Sequence, residues 1–288
     1  MLNIPEYIQY GGETRIALID NSTLGFMHEI ERRNNQQENR ADRIFRDYDL
    51  ILIPKWVMEE IEDSQYRVNY VHQLYMMGYP LRWIDEVRYG SFTEDEDINL
   101  YYIVEAAVSR ISALMRYLRN NVKTEDMLDL PASDEWIEKF YDEWPISGRT
   151  LANGRVLKKN AGEISLTILA EIFSWYYPDI QSITIYTQDT DAHEFQIHAE
   201  EKLRKNEDFG VHMGVPLSVA FKSNDFILCQ LFREHILSLD TIELLRKDAR
   251  KLTYTKQQPD KSVILCKEVV TNIQFIELIQ DETVQIIF

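Results

Sequence analysis

Five carboxylates, Asp20, Glu60, Glu163, Asp189 and Asp191, are far apart in the chain but share a local setting. Asp20 closes the apolar run "RIALI" (15–19), and Asp189 and Asp191 follow the β-branched run "SITIYT" (182–187). Glu60, with Glu59 as the register alternative, lies one turn past "DLILIP" (49–54), and Glu163 opens "GEISLTILA". Each therefore stands just beyond an expected strand or in the first turns of an expected helix. In open α/β sheets, ligands bind beyond the carboxyl ends of the strands. Carboxylates gathered there repel one another unless a cation neutralises them. Hard oxygen donors suit Mg²⁺ or Mn²⁺. Two such ions about 4 Å apart can activate a water and stabilise the leaving oxygen of a phosphodiester.

Taken singly, every one of these acids has a simpler explanation. Asp20 can cap a helix, Glu60 belongs to an acidic "EEIED" surface, and Glu163 suits the positive end of a helix dipole. Asp189 and Asp191 are turn formers. Only their conjunction points to a shared site. Other chemistries lack support: H-E-x-x-H is absent, His193 and His198 are five residues apart, and there is no phosphate loop, nucleophile elbow or dinucleotide fingerprint. Cys229 and Cys266 stand alone in apolar surroundings and are expected to be reduced core thiols.

The elements that must position these acids alternate. The start reads β-α-β-α, residues 62–160 are dominated by helical periodicity, and from "NAGEISLTILAEIFSWYYP" the order is α-β-α-β-α. The pattern predicts an α/β fold with a parallel sheet flanked by helices. The expected units are a discontinuous core (1–62 and 150–250), a helical insertion (63–149) and a C-terminal β-meander (251–288). One long helix is expected over "INLYYIVEAAVSRISALMRYLRNN", and Ser133 is expected to cap another. "SVILCKEVV", "QFIELI" and "VQIIF" read as three strands, and "LRKDARK" (245–251) as a solvated helix face.

The segments "IALIDNST", "LILIPKWVMEEI", "GEISLTILA" and "ITIYTQDTD" resemble, in that order, the four acidic motifs of PIN-domain ribonucleases. The resemblance covers roughly residues 14–62 and 155–235. It implies a PIN-like core, Mg²⁺ or Mn²⁺ held by Asp20, Glu60, Glu163 and Asp189 with Asp191 assisting, and cleavage of nucleic acid, RNA rather than DNA. Ser22 and Thr187 would orient the carboxylates. Arg155, Lys158 and Lys159, just before Glu163, are the expected substrate contacts. The long insertion and the C-terminal strands depart from small toxin-type members and suit a partner-bound or antiviral-defence role.

The net charge of −17 argues against broad non-specific binding to nucleic acid. A substrate, RNA or single-stranded DNA, would be met selectively or through a protein partner or second copy. No apolar run reaches membrane-spanning length and "MLNIPEYIQY" has no leader pattern, so a soluble cytoplasmic protein without a membrane partner is expected. The rival expectation is a PIN-like interaction module without catalysis.

Overall fold

A computed structural model describes residues 3–33, 41–94, 97–151, 154–209 and 215–288. Residues 34–37, expected to extend the first helix, lie outside that set. The chain runs β1 (Arg15–Ile19), α1 (Asn21–Arg33), β2 (Leu50–Pro54), α2 (Lys55–Ile61), α3 (Gln65–Met76), β3 (Leu81–Ile84), α4 (Asp97–Ala107), α5 (Ser112–Asn121) and α6 (Ser133–Asp142). A hairpin of β4 (Ser147–Thr150) and β5 (Val156–Lys158) precedes α7 (Ala161–Tyr176), β6 (Ser182–Tyr186), α8 (Thr190–Arg204), β7 (Val219–Lys222) and α9 (Asn224–Arg233). The chain ends with α10 (Leu239–Leu245), β8 (Arg250–Gln257), β9 (Val263–Val270), α11 (Asn272–Gln280) and β10 (Val284–Ile286).

The fold is α/β. Five parallel strands form the central sheet in the order β3-β2-β1-β6-β7. β1 is central, and Ile16 to Ile19 are wholly buried, as a parallel strand covered on both faces must be. From β1 the chain builds outward in one direction through β2 and β3, then crosses to build the other way through β6 and β7. The strand order thus reverses between β1 and β6, and the crevice beyond their carboxyl ends is where such sheets bind ligands. α7 is buried nearly all round, so its apolar residues are not confined to one stripe, and Ser165, Thr167, Glu171 and Ser174 are buried among them. It packs against α2, α4 and α8, which fixes its first turn beside the strand ends.

Several expectations are corrected. The range expected to be a helical insertion contributes β3 to the main sheet, and its α4 packs on α7 and α8. β3 is short and carries Arg82 and a half-buried Trp83, which hides its strand character. The expected long helix is two, α4 and α5. Ile111 is extended at the break, within "VSRIS", where β-branched and serine residues favour helix weakly. Ser133 is the first residue of α6 rather than its cap, which falls to Ala132.

At the C-terminal end a three-stranded antiparallel sheet forms in the order β10-β8-β9. "QFIELI" is helical, because Thr271 and Gln274 close a reciprocal capping box at the start of α11. The third strand is instead β8, in a region expected to open as a solvated helix. Arg246, also in that region, is 0% exposed. It bonds both carboxylate oxygens of Asp225 and the carbonyl of Val270. Cys266 is half-buried rather than a core thiol, while Cys229 is buried. Among the described residues no helix is long and apolar enough to cross a membrane.

Candidate functional site

Asp20 follows β1 directly and is 7% exposed. Its backbone N–H donates to the carbonyl of Tyr186 at the end of β6, so the two central strands finish level (3.0 Å). Two hydroxyls then aim its carboxylate. Thr187 Oγ1 donates to Oδ2 (3.1 Å) and accepts the N–H of Asp189 (3.0 Å). Ser22 Oγ donates to the same Oδ2 (2.5 Å) and accepts the N–H of Gln188 (3.2 Å). Each hydroxyl therefore ties the turn after β6 to the carboxylate after β1. The backbone N–H of Ser22 also reaches Oδ2 (3.4 Å), so Asp20 caps α1 while facing the crevice.

Glu60 arrives from α2, after β2. Asn21 Nδ2 donates to its Oε2 (3.3 Å). Gly162 admits it: a methyl group built there would lie 3.3 Å from Glu60 Oε1 and 3.3 Å from Val57 Cγ2. Glu163 stands one residue further on, in the first turn of α7. Asp189 caps α8 by accepting the N–H of Asp191 (2.8 Å).

These positions interact electrostatically. Burial, then the charge of Asp20, pushes Glu60 up to about 7, against the Asn21 hydrogen bond and the charges of Arg149 and Arg67. Burial, followed by the charges of Asp20, Glu60 and Asp189, pushes Glu163 up to about 8. Asp20 is raised by burial, and the hydrogen bonds from Ser22 and Thr187 work the other way. The fold thus brings Asp20, Glu60, Glu163 and Asp189 into one mutually repulsive field. Among the described residues none of the four has an ion pair, and no three of His, Cys, Asp and Glu form a ready-made ion cage. Asp191 lies exposed in the first turn of α8 and supplies its backbone N–H.

The basic residues before Glu163 are placed differently. Arg155 pairs with Glu59, which also accepts from Tyr141 Oη (2.6 Å). Lys158 donates to the carbonyl of Tyr141 and its Nζ lies 3.4 Å from the centre of that ring. Both cations therefore hold the β4–β5 hairpin against α2 and α6. Lys159 is exposed. Of the aromatic residues in this part of the chain, Tyr101 and Trp136 are buried, and Trp83 and Tyr102 half-buried.

Two contributors were not assigned to the site from the sequence. Asn21 stands in "DNS", where its neighbours drew attention. Arg67, which acts on Glu60 from α3, has no local signal because its placement depends wholly on how α3 packs on α1. Another buried acid, Glu86, accepts from the N–H of Trp56 (2.9 Å) and from Ser165 Oγ (2.7 Å), and burial raises it to about 8. Comparison with protein-family models, with curated proteins and with solved structures finds no match for this chain.

Proposed function

We propose that the chain is a PIN-like, Mg²⁺- or Mn²⁺-dependent endonuclease acting on single-stranded nucleic acid, RNA in preference to DNA. One observation carries the reading: four acids from β1, α2, α7 and the β6–α8 turn lie in one field, at the point where the strand order reverses, and among the described residues none of them is ion-paired. The donor set is all carboxylate oxygen, which suits these ions. Bound there, the metal would supply Lewis acidity toward a phosphodiester and a water of lowered pKa.

The chain's own residues do the positioning. Ser22 and Thr187 fix the rotation of the Asp20 carboxylate, Asn21 fixes that of Glu60, and Gly162 lets Glu60 lie against the start of α7. Burial and the neighbouring acids favour the protonated form of Glu163 in the cation-free protein, so loading a cation would displace that proton. With Mn²⁺, purified protein should cut single-stranded RNA, and Asp20→Asn should abolish cutting while the protein stays folded. Undiminished cutting by Asp20→Asn would sink the assignment.

The second reading, a PIN-like module that binds a protein partner without catalysis, is favoured by β9. This outer strand of the C-terminal sheet exposes Val263, Ile264, Leu265 and Val269, an apolar edge of the kind that pairs with another chain. Titration with Mn²⁺ separates the two: the module would show no thermal shift dependent on Asp20.

A further inference from the structure

Beside the acids, α1, α3 and the start of α9 line an open cavity of about 610 Å³. It is lined by Ser22, the residue that aims Asp20, and by His28, Tyr66, Arg67, Arg32 and Asn224. Three features give it a chemistry. Arg67 has no ion pair among the described residues, and its Nη1 is buried without a hydrogen-bond partner. Gly25 makes room for this guanidinium, since a methyl group there would lie 3.2 Å from Arg67 Nε. A buried donor without an acceptor is costly unless something else completes it. Asn224, also buried, leaves its Oδ1 unpartnered at the same cavity.

At the mouth, Tyr66 is 71% exposed and its ring lies 5.7 Å from that of His28, tilted by 30°. The lining sets two guanidiniums, Arg67 and Arg32, against one carboxylate, Glu29. Glu29 is held by Arg32 (2.8 Å) and by Arg33. In a chain of net charge −17 this is a local cationic pocket next to an acidic one. That pairing suits a strand whose scissile phosphate meets the acids while a neighbouring phosphate needs a cation.

We propose that this cavity seats the nucleotide next to the scissile position, with Arg67 receiving its phosphate and the Tyr66 ring its base. The proposal rests on the nuclease reading for the direction of the strand, and the cavity is tested apart from catalysis. The probe is a fluorescein-labelled single-stranded RNA of mixed sequence, followed by anisotropy in EDTA, where the strand stays intact. Arg67→Ala should weaken binding about tenfold and make the log–log salt dependence shallower by about 0.7 between roughly 50 and 200 mM salt. Arg67→Lys should recover part of both. Tyr66→Ala, at an exposed position that cannot endanger the fold, should weaken binding at least about fivefold.

Wild-type affinity and salt slope in Arg67→Ala and Tyr66→Ala would overturn the cavity and leave the nuclease reading standing if cleavage in Mn²⁺ persists. Weakened binding in the variants of a wild-type protein that cuts nothing in Mn²⁺ would support the cavity and sink the nuclease. No binding of RNA by the wild-type protein overturns both.

Discussion

Glu163→Gln should stabilise the metal-free protein above neutral pH. The usual glutamate value of 4.5 rises to about 8 in the fold, through burial and the charges of Asp20, Glu60 and Asp189. The folded state therefore holds the Glu163 proton more tightly than the unfolded state does. Its contribution is fully present below about pH 4.5 and is lost as pH rises through about 8. At about 1.4 kcal/mol per tenfold change in proton affinity the full difference approaches about 5 kcal/mol. The side chain is partly open to solvent and its repulsion is shared with Glu60, so about 2–3 kcal/mol is the expected loss for Glu163 itself. For a chain of this size that is on the order of 3–5 °C in Tm. The assay is thermal melting in EDTA from about pH 5 to 9. Glu86 and Glu171 are also raised to about 8 by burial, so wild-type protein and variant share their background slope. The quantity to read is the difference between the two profiles. It should open as pH rises, and Mn²⁺ should close it by stabilising only the wild type. Superimposable profiles, or a variant less stable than wild type at about pH 9, would refute the reasoning.

Thr187→Val keeps the side-chain shape but removes the hydroxyl that joins Asp20 to the N–H of Asp189. It should cost about 1–2 kcal/mol in denaturant titrations and lower Mn²⁺ affinity by about 10- to 100-fold in calorimetry. Gly162→Ala gains helix propensity of about 1 kcal/mol but places a methyl group 3.3 Å from Glu60 Oε1 and Val57 Cγ2. Its Tm should change little while Mn²⁺-dependent cleavage falls. Glu86→Gln, within the Trp56 and Ser165 hydrogen bonds, should be nearly neutral below about pH 4.5 and progressively stabilising as pH rises to about 9, by on the order of 1–2 kcal/mol there, read by melting.

What the sequence disclosed about the site was local: a short apolar run followed by an acid, or an acid in a helix's first turn. Asp20, Glu60, Glu163 and Asp189 stood out because strand-then-polar punctuation lies within a few residues of each. The parallel order of strands followed from their alternation with helices. Arg67 and the engagement of Arg155 by Glu59 depend on contacts between elements tens of residues apart, which no spacing encodes. β3 was hidden by its brevity and by Arg82. β8 was hidden by lysines and arginines, although Leu252 and Tyr254 alternate with threonines at the period of a strand. The "T-N-I-Q" signature of α11 was legible, and its capping box outweighs the β-branched residues that follow.

The Arg246–Asp225 pair has a consequence for how this chain can be divided. Asp225 opens the helix after the last strand of the main sheet, while Arg246 and the carbonyl it holds on Val270 belong to the C-terminal sheet and its approach. Cutting the chain before Arg246 would strand a buried carboxylate inside the larger piece. Cutting after it would leave the guanidinium without the Val270 carbonyl. A shortened protein made to isolate the acidic crevice should therefore express poorly unless Asp225 is replaced at the same time. The C-terminal sheet is a structural tenant of the main fold, and duplication, fusion or domain exchange would have to carry the two together.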